Sequence, residues 1–181
     1  IDLGAPRDEI EAALRTLPLP PDSFALAAEP VAALGLRAVR VSVPTRGGSG
    51  GRTLAEILAL LKAGKLPERA LARATRVFQR LAAAEAKVHA EPIEIVHFHE
   101  VGAVDAIVDV AGTALALEWL GVEHVRFGRL APGHGIVHTA HGPLPIPAPA
   151  TLELLSGVPI ELGGPAGEWV TPNEVLRQAQ L

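Results

Sequence analysis

The residues best suited to chemistry lie in one short stretch, Val96 to Gly112. It carries two histidines and three carboxylates, namely His97, His99, Glu100, Asp105 and Asp109, in a run that is otherwise almost wholly apolar. Imidazole favours late first-row divalent metals such as Ni²⁺, Cu²⁺ and Zn²⁺, and carboxylates are harder ligands for the same ions. The chain has no cysteine, so a metal site must use nitrogen and oxygen donors. The stretch therefore predicts a metal site.

A strand and a helix must position these groups. The β-branched run Pro92 to Phe98 predicts a strand, on which His97 and His99 would point to the same face. A helix is predicted from about Ala103 to Leu120, ending at Gly121. Because its sides are nearly all Val, Ile, Ala or Leu, we expect it to be buried all round.

Asp105 and Asp109 lie four apart and should stack on one face of that helix. If they are buried, each needs a cation or a hydrogen-bond partner. That partner could be a metal ion, or simply an arginine or the backbone.

A second group of histidines follows a predicted strand, Glu123 to Leu130. The Gly-rich segment Ala131 to Gly142 predicts a flexible loop that carries His134, His138 and His141. Three histidines in such a loop can converge on one ion, although their spacing matches no standard zinc pattern. The alternative is that they are structural or solvent-exposed.

Arginines are lined up on a long helix predicted from Pro67 to about His89. Arg69, Arg73, Arg76 and Arg80 follow one another at spacings of four, three and four, which places them on one ridge. Guanidinium groups so arranged could hold a phosphate. The competing interpretation is an ordinary solvated helix face.

The remaining pattern predicts an α/β fold, a layered domain with short strands and a buried central helix whose strand order the sequence leaves open. Gly47 to Gly51 has linker composition and indicates a possible flexible loop at 46–52. The other predicted helices are Pro6–Leu17, Thr53–Gly64, which begins with a capping box, and Pro149–Gly157. The other predicted strands are Leu36–Val43 and Val158–Leu162. The alternating prolines of Pro143–Pro149 predict a rigid, extended segment.

Composition excludes several classes of protein. The formal net charge of -4 argues against a general nucleic-acid binder. The most apolar stretch is interrupted by Asp105, Asp109 and Glu118, so no membrane span is predicted. No signal-peptide pattern opens the chain, and we expect a cytoplasmic protein.

Three motifs together resemble the LarC family. They are His97-Phe-His-Glu-Val-Gly-Ala-Val-Asp-Ala-Ile-Val-Asp109, Leu81-Ala-Ala-Ala-Glu-Ala-Lys-Val-His89 and His141-Gly-Pro-Leu-Pro-Ile-Pro-Ala-Pro-Ala-Thr-Leu-Glu-Leu-Leu155. These proteins insert nickel into pyridinium-3,5-bisthiocarboxylic acid mononucleotide to complete the nickel-pincer cofactor. The resemblance runs from Ile1 to Pro172, which predicts a nickel-insertion domain over 1–172 and a tail of uncertain alignment over 173–181.

The resemblance implies a CTP-dependent cyclometallation that forms nickel–carbon and nickel–sulfur bonds. It also implies that CTP and a divalent cation bind in a C-terminal domain that is absent here, so this fragment could be inactive alone. The partner it implies is the pyridinium mononucleotide substrate. Separately, the apolar helix at Ala103 to Leu120 could form an interface, and we expect a homo-oligomer. Two alternatives remain: a non-catalytic oligomeric scaffold, and a metal-dependent hydrolase.

We assign roles on this basis. Glu100 and Asp105 would act in catalysis by accepting the proton released on metallation. Arg69, Arg73 and Arg76 would hold the substrate phosphate. The predicted nickel ligands are His97, His99, Glu100, Asp105, Asp109, His134, His138 and His141, with Asp109 as a residue that orients a histidine.

Overall fold

The computed structural model describes residues 1–33, 35–46, 51–98, 102–139, 142–164 and 166–172. Predictions that concern His99, Glu100, His141, most of the 46–52 loop or the 173–181 tail lie outside these residues. The described helices are α1 (Arg7–Leu14), α2 (Leu54–Ala63), α3 (Glu68–His89), α4 (Val104–Trp119) and α5 (Pro149–Leu154). The described strands are β1 (Ala27–Ala33), β2 (Leu36–Ser42), β3 (Arg52–Thr53), β4 (His97–Phe98), β5 (Gly133–Thr139), β6 (Gly142–Ile146) and β7 (Gly167–Glu168).

The strands form small antiparallel sheets beside the helices, so the predicted mixed α/β class is confirmed. β1 pairs with β2, β3 pairs with β4, and β5 lies between β6 and β7. In the β3–β4 pair, Arg52 lies opposite Phe98 and Thr53 lies opposite His97. This short pairing brings the start of α2 next to the predicted metal-binding stretch.

The core is built around α3, which packs against α2, α4 and α5, while α1 packs against α4. At its centre the rings of Phe78 and Phe98 meet edge to face, 6.3 Å between centroids. Because Phe98 is fully buried, the β3–β4 pair is attached to the core through this side chain. Among the described helices, none is long and apolar enough to cross a membrane.

Helix ends follow the local sequence signals. The predicted capping box of α2 is confirmed: Thr53 N–H donates to Glu56 Oε2 at 2.7 Å, and Glu56 N–H donates to Thr53 Oγ1 at 3.3 Å. α4 ends as predicted at Gly121, whose φ is +64°. A glycine adopts this left-handed conformation without the steric cost of a Cβ atom.

The prediction that α4 is buried all round is wrong. Asp105 and Asp109 are both exposed, while its fully covered side chains, such as Ile107, Ala111 and Leu115, face α3 and α1. Asp105 and Asp109, one helical turn apart, form a short exposed stripe on the side of α4 that faces away from the core. The two carboxylates are therefore accessible to water, and neither is a buried charge that requires compensation.

Several predicted strands and loops are also wrong. Only His97 and Phe98 of the predicted 92–98 strand pair with another strand, because residues 93–95 form a turn. Residues 123–129 have no regular structure, and only Leu130 bridges to Ile160. The sequence also gave no sign of β1, which is Ala-rich and contains Pro30.

The Gly- and His-rich segment is a strand and not a flexible loop. β5 pairs along its length with β6, with Val137 opposite Leu144 and His138 opposite Pro143. The proline-rich segment predicted as a free rod therefore supplies a paired strand. Its prolines alternate with residues that keep their N–H groups, so an edge strand can still form.

Candidate functional site

His97 lies on the exposed side of β4 with one ring nitrogen already engaged. Its Nδ1 is 3.1 Å from the carbonyl oxygen of Gly51. A carbonyl oxygen can only accept a hydrogen bond, so Nδ1 must carry the proton. In the neutral ring this leaves the lone pair on Nε2, and such a backbone contact is the usual way in which a protein orients a metal-binding imidazole.

Glu56 places a carboxylate next to this imidazole. Hydrogen bonds from the Thr53 N–H and then from the Thr53 hydroxyl lower the pKa of Glu56, and electrostatic interactions with the nearby His97 and Arg52 lower it further. A hydrogen-bonded carboxylate of this kind stays ionised at neutral pH. Its negative charge would favour a cation bound near His97.

Arg52 ties β3 to the turn that precedes α4. Its Nη1 donates to the Gly102 carbonyl oxygen at 2.5 Å, and the neighbouring Gly51 N–H donates to the Phe98 carbonyl oxygen at 2.7 Å. A Cβ atom on Gly102 would lie 2.7 Å from the Phe98 oxygen and 3.1 Å from the Arg52 nitrogen. The turn therefore has room only for glycine, and it starts α4 directly against the β3–β4 pair.

Asp105 lies in the first turn of α4, where its Oδ1 accepts a hydrogen bond from the Ala106 N–H at 2.9 Å. A carboxylate at this position is also favoured by the helix dipole. Asp109 lies one turn further on, on the same exposed stripe. Both carboxylates are open to solvent and could bind an ion that approaches from outside.

His134 and His138 are exposed on one face of β5. They are four residues apart on the strand, about 13 Å, which is too far for both imidazoles to reach one ion easily. The His134 Nε2 is 3.1 Å from the Gly164 carbonyl oxygen, which again makes that nitrogen the donor. Each histidine is better suited to a separate contact than to a shared metal ion.

No group of three or more His, Asp or Glu residues that could hold a metal forms among the residues that the structure describes. The described predicted ligands are His97, Asp105, Asp109, His134 and His138, and they do not converge by themselves. The other three predicted ligands, His99, Glu100 and His141, lie outside the described residues. The full ligand set stays a prediction.

The arginine ridge is only partly available to a ligand. Arg73 is buried, with Nη1 3.3 Å from Glu118 Oε2 and Nη2 bonded to the Val122 carbonyl. Arg69 also faces Glu118 at 3.5 Å, whereas Arg76 is exposed. Arg73 thus joins α3 to the end of α4, and the phosphate-binding role of the ridge stays a prediction.

Sequence reasoning missed Arg52 and Glu56 as site residues. Arg52 follows the glycine-rich segment that was set aside as a linker, and the capping box fully accounted for Glu56. The only signal for them is the pairing of β3 with β4, and a two-residue strand is too short to show periodicity.

Comparison with known proteins places this geometry in context. The chain matches the family model described as nickel insertion protein over residues 1–177. One relative is a protein from Geobacter metallireducens that is provisionally named a nickel insertion protein. The two sequences are 50% identical over all 181 residues of the chain, which cover 46% of that protein. A second relative is a Staphylococcus epidermidis protein named pyridinium-3,5-bisthiocarboxylic acid mononucleotide nickel insertion protein. The two sequences are 40% identical over 173 residues, which cover 96% of the chain and 43% of that protein. The chain thus spans less than half the length of these relatives, and no solved structure matches it.

Proposed function

Because the chain belongs to the nickel insertion protein family, we propose that it binds Ni²⁺ and delivers it to pyridinium-3,5-bisthiocarboxylic acid mononucleotide. The observation that carries this proposal is the 173-residue match to the Staphylococcus epidermidis relative, whose name states that reaction. The family match over residues 1–177 covers the position of His97, whose ring is oriented by the Gly51 carbonyl. Nickel is the substrate of this step and does not stay with the protein.

Delivery requires ligands that hold the ion and then release it. Imidazole and carboxylate groups exchange nickel more readily than thiolates do, and the chain contains no cysteine. We assign the first contact to His97 Nε2, together with His99 and Glu100. Asp105 and Asp109 supply negative charge that attracts the cation along the exposed stripe of α4.

Insertion also requires a proton acceptor. Forming a nickel–carbon bond at an aromatic carbon releases the proton that the carbon carried. A carboxylate within hydrogen-bond reach can take it up as a general base. We assign this role to Asp105 and Glu100.

The whole protein's reaction extends beyond this chain. We propose that it depends on CTP and a divalent cation, bound by parts of the protein that the chain does not include, and that it takes place in the cytoplasm. Omitting CTP from an assay of the full-length protein tests whether the reaction depends on CTP. Nickel insertion at an undiminished rate without CTP would contradict it.

Titration of Ni²⁺ by calorimetry tests the assignment of the ligands. We expect His97→Ala and Asp105→Asn each to weaken nickel binding about tenfold or more, the usual cost of disturbing a metal site. His124→Ala is the matched control, because His124 is an exposed histidine in the irregular segment after α4. Equal affinity in the wild type and in all three variants would remove His97 and Asp105 from the site.

A further inference from the structure

A groove runs along α2 beside the β3–β4 pair. It is a shallow depression of about 490 Å³, open to solvent on one side and lined by Pro18, Arg52, Glu56, Ala59, Leu60 and Ala63. Glu56, Ala59, Leu60 and Ala63 follow one another at spacings of three, one and three, so they form one face of the helix. This volume is typical of sites that bind small organic molecules.

The groove combines an apolar wall with one positive and one negative group. Arg52 uses Nη1 to hold the Gly102 carbonyl, and within the described residues its other guanidinium N–H groups have no hydrogen-bond partner. Glu56 is held as a carboxylate, and its bonds to Thr53 use only Oε2. Both side chains therefore retain hydrogen-bonding capacity that a ligand can use.

The groove also lies next to the proposed nickel ligand. Thr53, which caps α2 through Glu56, is paired directly with His97 across the β3–β4 ribbon. Glu56, which lines the groove, is also close enough to His97 to interact with it electrostatically. A metal donor and its acceptor need this proximity.

We infer that this groove binds the nickel acceptor, a planar pyridinium ring that carries an anionic mononucleotide. The identification rests on the proposed function. The apolar wall formed by Ala59, Leu60 and Ala63 would contact the face of the ring, the Glu56 carboxylate would pair with the ring's positive charge, and Arg52 would bind an anionic group, either the phosphate or a thiocarboxylate. Arg52 thereby becomes a substrate-positioning residue.

Nicotinic acid mononucleotide, a pyridinium carboxylate mononucleotide, is a suitable probe in the absence of metal. Calorimetric titration should give saturable binding to the wild-type chain. Arg52→Met, which keeps the apolar stem and loses the charge, should weaken binding about tenfold or more, since hydrogen bonds to charged groups are the stronger ones. Ala59→Trp should abolish binding by filling the groove.

Ala72→Trp is the matched control, because Ala72 is exposed on α3 and away from the groove; it should bind the probe as the wild type does. No saturable binding to the wild type, or an Ala59→Trp affinity within twofold of it, would overturn the assignment. The Ni²⁺ titration then reports separately on the proposed function. Probe binding in the groove of a chain that does not bind nickel would refute the identification of the occupant as a nickel acceptor.

Discussion

Gly102 is the residue on which the geometry of the candidate site most depends. A Cβ atom there would lie 2.7 Å from the Phe98 carbonyl oxygen and 3.0 Å from the Phe98 Cβ, and neither of these atoms can move without shifting the β3–β4 pair. Gly102→Ala should therefore destabilise the protein by about 1–3 kcal/mol, as overpacking usually does. Urea denaturation monitored by circular dichroism measures this change.

Gly112→Ala provides the matched control within α4. Its added Cβ would lie 3.5 Å from Leu14 Cδ1, an ordinary contact distance, and alanine favours a helix interior by about 0.5–1 kcal/mol. We expect this variant to be as stable as the wild type or more so. If the two variants were equally stable, the close approach at Gly102 would be unimportant.

Glu56 gives a pH-dependent prediction. Its pKa is lower in the folded chain than its ordinary value, chiefly through the Thr53 N–H bond. The ionised carboxylate therefore adds stability at pH values above the unfolded-state pKa, and this contribution is lost as pH falls through the folded-state pKa. The stability difference between the wild type and Glu56→Gln should be constant near neutral pH and decrease below about pH 4.5.

Thermal unfolding at a series of pH values measures that difference. Glu123→Gln, which changes the same chemical group outside the capping box, is the control. A difference that grew on acidification would show that the sign of the Glu56 contribution is wrong.

At the scale of elements, the contact between α3 and α4 depends on Arg73. This buried side chain bonds Glu118 and the Val122 carbonyl just beyond the end of α4. Arg73→Ala would leave a carbonyl and a half-buried carboxylate without their main partner. We expect a loss of about 2–4 kcal/mol in the free energy of unfolding.

Arg76→Ala should change stability by less than about 0.5 kcal/mol, because Arg76 is an exposed side chain of the same helix. Chemical denaturation of both variants measures the free energy of unfolding that each side chain contributes, the buried Arg73 and the exposed Arg76. Equal losses would mean that the α3–α4 contact does not depend on the Arg73–Glu118 pair.

The helices and the strand β2, predicted at Leu36–Val43 and found at Leu36–Ser42, were predictable from the sequence. The other strands were not. The capping box at Thr53 and the left-handed Gly121 are local signals, so the start of α2 and the end of α4 were predicted almost to the residue. Gly133 and Gly135 indicate turns, so the sequence predicts a loop where β5 lies; the pairing of β5 with β6 is a non-local property. The hydrophobic residues that flank Asp105 and Asp109 predict a helix buried all round, yet the position of the two carboxylates on the helix places them outside.

At the scale of the molecule, the exposed stripe that carries Asp105 and Asp109 distinguishes nickel delivery from an oligomeric scaffold. In the scaffold alternative the stripe would contact another copy of the chain. The double variant Asp105→Asn, Asp109→Asn should keep the wild-type mass in light scattering while its nickel affinity falls. A change in mass with unchanged nickel affinity would favour the scaffold.

The central claim is that the His97 imidazole binds nickel, and X-ray absorption spectroscopy of the nickel-loaded protein tests it most directly. The spectrum should show only nitrogen and oxygen ligands at about 2.0–2.1 Å, with imidazole scattering. That scattering should decrease by one imidazole in His97→Ala and stay unchanged in His124→Ala. An imidazole contribution that is the same in His97→Ala as in the wild type would contradict the account.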